Sequence, residues 1–295
     1  MRTLVLGGEG MLGRAVASHW RRLRTPVLAL GRAQADLTDP KSLAHWTREF
    51  APEVIVNCAA FTAVDACEER EEHATRINGH SVGSLAELAS EHGAALIHVS
   101  SDYVFDGEAT RPIPEDAATG PRSAYGRGKL LGEEQALSYE RATVVRASWL
   151  FGPGGGNFVA TIRRLLTEGK TPLRVVDDQI GRPTYTPFLA RALWDLSRLT
   201  VRGEASGLVH YGNREATSWH GLATEIARII APGAEVLPVA TSEFPRPAHR
   251  PAYSVLDVAR FEAWTGRVVE PWLLGLVEYL ESESSGTPDS SSPTQ

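Results

Sequence analysis

Cysteine is scarce in this chain of 295 residues: Cys58 and Cys67 are the only two. Two thiols cannot make a disulfide scaffold, and they suit a reducing cytoplasm. Positive charge is not in excess either. The net charge is −6 and the pI near 5.9, which argues against a broad basic footprint for nucleic acid. No apolar run reaches the roughly eighteen residues that a membrane span needs. The N-terminus passes from Met1-Arg2 straight into a short apolar run and glycines, without a signal-peptide cleavage pattern. The nine histidines are scattered, and no His/Cys cluster has ligand spacing, so no metal is expected. There is no internal repeat. What is present is an ordinary globular composition, 42% hydrophobic and 22% charged, long enough for one large or two modest domains. The expected location is the cytoplasm.

The first informative stretch is the N-terminus. Thr3-Leu4-Val5-Leu6 reads as a buried strand, and Gly7-Gly8-Glu9-Gly10-Met11-Leu12-Gly13 follows it before Ala15, Val16 and Trp20 continue at helical spacing. A strand, a glycine turn and a helix start make a dinucleotide-binding unit. Gly7 permits the turn, Gly10 lets backbone approach a pyrophosphate, Gly13 lets helix pack on sheet, and the helix N-terminus offers amide donors. The spacing is G-x-x-G-x-x-G, as in short-chain dehydrogenase-like sheets; a merely tight turn is the plainer alternative. Pro26 to Leu30 is the second strand. An NAD-specific site would place an acid at its end. Here Gly31-Arg32 stands instead, leaving room for a 2′-phosphate and offering it a cation. NADPH is therefore the expected cofactor, with NADH also open.

Further strands are expected at Val54–Ala60, Ala94–Val99 and Thr143–Trp149. Asp36 to Pro40 caps a helix, Ala66 to His92 reads as one long helix, and another runs from Tyr125 to about Leu137. Strand and helix alternating five times predict an α/β fold, a doubly wound parallel sheet of Rossmann-like type with helices on both faces. Ser100 and Ser101 fall at a strand's carboxyl end, where such sheets place substrate; capping the strand is an equal alternative. Tyr125 and Lys129, four residues apart, project from one helix face. An ammonium beside a phenol favours the phenolate and lowers the tyrosine's pKa from about 10, giving a proton donor near neutral pH. A solvated helix face is the common alternative for an isolated pair.

Beyond Gly152 the pattern loosens into a glycine loop, short strands and three helices. The expected division is a dinucleotide-binding domain over 1–150 and a mainly substrate-binding domain over 151–281, with some segments returning to the main sheet. Residues 282–295, rich in Ser, Pro, Thr and Glu, are expected to be a disordered tail.

In this order the stretches resemble the extended short-chain dehydrogenase/reductases and, more narrowly, the dTDP-4-dehydrorhamnose reductase family. The most specific pieces are the glycine turn, Val56 to Asp65, Ser100 to Gly107, the Tyr125/Lys129 pair, Ser148 to Gly152, Val175 to Gln179 and Arg250-Pro251. The resemblance implies an oxidoreductase of dTDP-rhamnose biosynthesis that reduces the C4 ketone of a nucleotide sugar with NAD(P)H. It implies that Tyr125 protonates the carbonyl oxygen, that Lys129 binds the nicotinamide ribose and biases Tyr125 towards ionisation, and that Ser101 orients the carbonyl. Asp102 and Trp149 would contact the sugar, and Arg250 would pair with the pyrophosphate. Ala60, Phe61 and Thr62 would line the cofactor, with Asp36 and Leu37 against its adenine. Three departures stand out. Ser101 replaces the usual threonine, and Tyr253 stands where an asparagine is expected. The first helix reads Arg14-Ala15-Val16, without the glutamate that some relatives use for magnesium at a dimer interface. Neither that metal nor that dimer is carried over, though a homodimer of another kind stays open.

Rival readings are a non-catalytic NADP-binding regulatory homologue and another nucleotide-sugar reductase or epimerase. A hydrolase reading rests on Gly79-His80-Ser81-Val82-Gly83, which matches a nucleophile elbow but lacks the preceding strand.

Overall fold

A computed structural model describes residues 1–284. The first half alternates as the periodicity predicts: β1 (Thr3–Leu6), α1 (Met11–Arg22), β2 (Val27–Leu30), α2 (Pro40–Phe50) and β3 (Val54–Asn57). Asp39 caps α2 by accepting from the Lys41 amide, with Pro40 in the first turn. The stretch expected as one long helix is broken. It divides into α3 (Val64–Glu69), α4 (Glu71–Thr75), a π-helical turn at Arg76–His80, and α5 (Ser81–Glu91). Arg70, at φ −130° and ψ 45°, ends α3. The π turn lets the Asn78 side chain clamp the Phe61 backbone, accepting from its amide at 2.8 Å and donating to its carbonyl at 3.0 Å. The Gly79–Gly83 elbow sequence lies inside this helical run, and Ser81 Oγ donates to the Arg76 carbonyl. It is a helix-packing segment.

Next come β4 (Ala95–Ser101), α6 (Ala124–Leu137), β5 (Ala142–Ala147), β6 (Leu150–Phe151) and α7 (Phe158–Thr167). They are followed by β7 (Leu173–Val176), β8 (Ile180–Gly181), β9 (Thr184–Tyr185), α8 (Thr186–Arg202) and β10 (Gly207–Tyr211). The chain continues through β11 (Thr217–Ser218), α9 (Trp219–Ile230), β12 (Val236–Val239), α10 (Ala259–Thr265) and α11 (Trp272–Ser284). The expected tail thus begins within α11 at Ser282, and residues 285–295 lie outside the described residues.

Six strands form one parallel sheet in the order β10-β5-β4-β3-β1-β2. Alternate side chains of each strand enter opposite cores. Val5, Val56, Ile97 and Val145 meet Val16 and Trp20 of α1 and Leu193 of α8 on one face. Leu4, Leu6, Ile55, Leu96 and Val144 meet Leu43 of α2 and Leu85 of α5 on the other. Covering both faces is what an all-parallel sheet requires. A third apolar cluster, including Phe151, Phe188, Leu222 and Leu276, lies among β6, α7, α8, α9 and α11. β10 lies far along the chain yet pairs with β5.

The helix that carries Tyr125 is seated tightly against the turn after β4 and against the π-helical turn. A Cβ on Gly126 would collide with the Tyr103 carbonyl, and one on Gly132 with the Asn78 carbonyl. A buried ion pair pins the same helix: Arg146 of β5 donates to Glu133 of α6 from Nε at 2.8 Å and Nη2 at 2.6 Å. His210 of β10 joins it. Its Nδ1 must donate to the Ile113 carbonyl at 3.1 Å, so Nε2 accepts from Arg146 Nη1 at 3.3 Å. Burial and the Arg146 charge keep that imidazole neutral, lowering its pKa to about 3. Removing one partner strands a buried charge, so Glu133→Ala should cost about 3–5 kcal/mol, read as a lower urea midpoint at unchanged slope. A loss below about 1 kcal/mol would mean that the pair behaves like an exposed one.

Candidate active site

The carboxyl ends of β1 to β5 open on a cleft of about 820 Å³. Its walls contain every expected catalytic, cofactor and substrate residue: Gly7, Gly10, Met11, Leu12 and Gly13; Arg32, Asp36 and Leu37; Ala60, Phe61 and Thr62; Ser101, Asp102, Tyr125, Lys129, Trp149 and Arg250. One end is the glycine turn. Gly7 has φ +75°, and a Cβ there would lie 2.7 Å from the Ala59 amide, so β1 and β3 can close on each other only with glycine. A Cβ on Gly13 would strike the Gly7 carbonyl. Gly10 caps α1 without any side-chain bond, leaving the first-turn amides for an anion. This seat and the elongated cleft beyond it fit a dinucleotide.

At the end of β2, Arg32 Nε donates to Asp36 Oδ2 at 3.1 Å. Asp36 also accepts from the Thr38 amide and hydroxyl at 2.8 and 2.7 Å. Those Thr38 bonds, with Arg32 adding less, hold its carboxyl below the usual range. The Arg32 side chain is 73% exposed, so it can reorient.

At the other end, β4 delivers Ser101 and Asp102. Ser101 Oγ donates to Asp102 Oδ1 at 3.0 Å and accepts from the Tyr103 amide at 3.3 Å. Burial pushes the Asp102 carboxyl up to about 6, with the Ser254 and Ser101 hydroxyls opposing that rise. Its buried Oδ2 has no hydrogen-bond partner. Besides the Ser254 and Ser101 hydroxyls, this carboxylate keeps acceptor capacity for a ligand hydroxyl.

Ser123 caps α6 by accepting from the Gly126 amide at 3.1 Å, which sets Tyr125 and Lys129 on the inward face. Their chemistry differs from the expectation. Burial drives the Tyr125 phenol well above its ordinary value, with only the Ser101 hydroxyl opposing that shift. No ammonium lowers it, because Lys129 turns elsewhere. Lys129 Nζ donates to the Val99 carbonyl at 2.7 Å and lies 3.5 Å from His98 Nε2. The expected bias of Tyr125 by Lys129 has no counterpart among these contacts: the ammonium is bound to backbone, and burial dominates the phenol. Behind Lys129, Asn57 Oδ1 accepts from the Ala59 amide at 3.1 Å, which leaves Asn57 Nδ2 to donate to His98 Nδ1 at 3.1 Å. The His98 proton then sits on Nε2, facing Lys129, so the imidazole offers that ammonium no lone pair. Burial holds His98 well below its ordinary pKa and lowers Lys129 to about 8. Val99 takes one Lys129 proton, and the others are left for a ligand.

Trp149 lies two residues beyond β5 at φ +50°. Its ring stacks on Trp219 with centroids 3.5 Å apart and planes 5° apart. Trp219 Nε1 donates to Gln179 Oε1 at 3.1 Å, and Gln179 Nε2 donates to Thr241 Oγ1 at 2.9 Å. Trp219, Gln179 and Phe158 also line the cleft. None of the three is among the expected site residues, because they arrive from separate elements after Gly152; the available signals were the Val175–Gln179 motif and a tryptophan directly after the Ser218 helix cap. Arg250 Nη2 pairs with Asp65 Oδ1 at 3.0 Å, Nη1 donates to the Ala248 carbonyl, and the guanidinium lies 5.9 Å from the Tyr103 ring centroid. Tyr253 is absent from the walls; its amide donates to the Gly107 carbonyl and its side chain packs against the Val104 cluster.

Lys129 has a specific stability signature. It titrates near 8 folded against 10.5 unfolded, so between those values the unfolded chain binds the extra proton. Its contribution to stability therefore rises as pH climbs through that window. Relative to Lys129→Met, wild type should gain stability from about pH 7.5 to about pH 10 in urea unfolding. A constant difference would contradict a desolvated lysine.

The comparisons with known proteins agree with this geometry. The family described as RmlD substrate binding domain matches residues 1–285. A dTDP-4-dehydrorhamnose reductase of Streptomyces griseus is 42% identical over 281 residues, 94% of this chain and 92% of that protein. Among solved structures, a dTDP-4-dehydrorhamnose reductase of Clostridium acetobutylicum superposes with a TM-score of 0.90 at 37% identity, covering 96% of this chain and 100% of that one. That of Bacillus anthracis, in complex with NADP, does so with 0.89 at 30%, covering 95% and 99%. The chain therefore belongs to the RmlD substrate binding domain family, the family of the dTDP-4-dehydrorhamnose reductases.

Proposed function

We propose that this protein is an enzyme that reduces the C4 ketone of dTDP-4-dehydro-L-rhamnose to dTDP-L-rhamnose with NADPH or NADH. The observation that carries the reading is one cleft with an anion seat at the glycine turn and Ser101, Asp102, Tyr125 and Lys129 at its other end. Among relatives, the Bacillus anthracis reductase was solved with NADP. A reduced nicotinamide, when bound, supplies the hydride. Met11, Leu12 and Gly13 hold the pyrophosphate by their amides, Arg32, Asp36 and Leu37 flank the adenosine, and Ala60, Phe61 and Thr62 line the path between. Lys129 offers its remaining N–H groups to the nicotinamide ribose.

The chain's own part in the reaction is to hold the carbonyl and deliver a proton. Tyr125 donates to the ketone oxygen, where negative charge grows as the bond is reduced, and Ser101 joins it by turning its one O–H from Asp102 Oδ1. Burial keeps the Tyr125 phenol protonated at neutral pH, so it has a proton to give, and makes it a weaker acid than a free phenol until the reacting oxygen beside it gathers charge. Tyr125 gives its proton to that oxygen. Asp102 Oδ2 accepts from a sugar hydroxyl, and the Trp149/Trp219 pair bounds the sugar side. Arg250 serves the substrate pyrophosphate. In this reading residues 1–150 hold the dinucleotide and 151–281 mainly the sugar nucleotide, with β10 returning to the sheet. The proposed setting is the cytoplasm. Among the described residues no helix is long and apolar enough to cross a membrane.

The test supplies dTDP-4-dehydro-L-rhamnose and NADPH, follows cofactor absorbance, and identifies the sugar product. Wild type should consume cofactor stoichiometrically with product. Tyr125→Phe should lose about 10²–10⁴-fold in kcat while binding NADPH as before. A folded protein that binds NADPH and consumes none would overturn the enzyme reading in favour of a regulatory homologue. Full activity in Tyr125→Phe would overturn Tyr125 as donor.

A further inference from the structure

The end of β2 is where a dinucleotide site reads the 2′ position of the adenosine ribose, usually by an acid on that strand. Here the position is Gly31. A Cβ built on Gly31 would lie 2.6 Å from Glu9 Oε1 and closer still to Oε2 and the carboxyl carbon. The Glu9 carboxylate therefore fills the volume that a side chain at position 31 would occupy. It arrives from the glycine turn instead of from the strand. The placement is braced on both sides: the Gly8 amide donates to the Leu30 carbonyl at 2.8 Å, and Arg14 Nε donates to the Glu9 carbonyl at 2.7 Å. Gly31 is fixed by its amide donating to Gln34 Oε1 at 2.8 Å. Glu9, Gly31 and Arg32 all line the cleft. Arg32 is already paired with Asp36, and Glu9 makes no ion pair among the described residues.

We propose that Glu9 is the residue that discriminates between the two cofactors, standing in for the missing strand-end acid. Its carboxylate accepts hydrogen bonds from a ribose 2′-hydroxyl. Beside a 2′-phosphate it places like charges together, which Arg32 must offset by turning from Asp36. The opposed pair Glu9 and Arg32 explains how the chain admits both NADH and NADPH, with Glu9 weighting the balance towards NADH. The inference rests on the dinucleotide reading of the cleft.

The test is the dissociation constant of each reduced cofactor, measured by nicotinamide fluorescence without substrate. Glu9→Gln and Glu9→Ala should shift the affinity ratio towards NADPH by about tenfold, the scale of removing one like charge at close range. Arg32→Ala should shift it the other way. Gly31 has no positive φ, so its backbone accepts a side chain, and Gly31→Asp in the Glu9→Ala background should restore the NADH share. A ratio unchanged within about twofold in both Glu9 variants, with both cofactors still binding, would overturn the assignment alone. Failure of wild type to bind either dinucleotide would overturn the cofactor reading and this assignment together.

Discussion

The site depends on how closely α6 packs on the turn after β4 and on the π-helical turn. Tyr125 and Lys129 reach the carboxyl end of β4 only because Gly126 and Gly132 let the helix backbone rest against the Tyr103 and Asn78 carbonyls. The Glu133–Arg146 pair then fixes the helix against β5, and His210 ties in β10. Two strands and the active-site helix thus share one buried polar network around a single guanidinium. Such a network costs desolvation, so its contribution is better seen as position than as stability. A shift of about 1 Å at α6 would separate the phenol from Ser101, and misplacement on that scale is enough to cost about 10²-fold in rate.

Burial sets the electrostatics of the cleft more than pairing does. Tyr125, Asp102 and Lys129 are all desolvated, and each is pushed towards its neutral form. Lys129 donates to a backbone carbonyl and makes no ion pair among the described residues, and Asp102 Oδ2 makes no hydrogen bond. These are groups arranged for a ligand's hydroxyls and charge. The same principle operates at the adenosine end, where Glu9 and Arg32 present opposite charges to one ribose position.

Much of this was legible in the sequence. The sheet followed from five apolar runs separated by helical periods, and the glycine turn, Ser101, Tyr125 and Lys129 from their places at strand ends and on one helix face. Two kinds of information were not legible. Periodicity could not reveal that Ala66–His92 breaks at Arg70, or that it turns π-helical at Arg76–His80, where the Asn78 side chain reaches back to the Phe61 backbone. Spacing could not reveal that Lys129 faces Val99 and leaves Tyr125 alone, since side chains on one helix face can still find different partners. Trp219 and Glu9 were silent for the same reason: each gains meaning only from what the fold sets beside it.

The most direct measurement of this dependence is turnover in Gly132→Ala, which keeps every side chain of the site and adds one methyl beneath the helix. A protein that unfolds cooperatively but reduces the keto-sugar at least about tenfold more slowly than wild type is the expected result, because α6 must lift from Asn78. Wild-type kcat in a folded Gly132→Ala protein would contradict the claim that the close seat of α6 positions the proton donor.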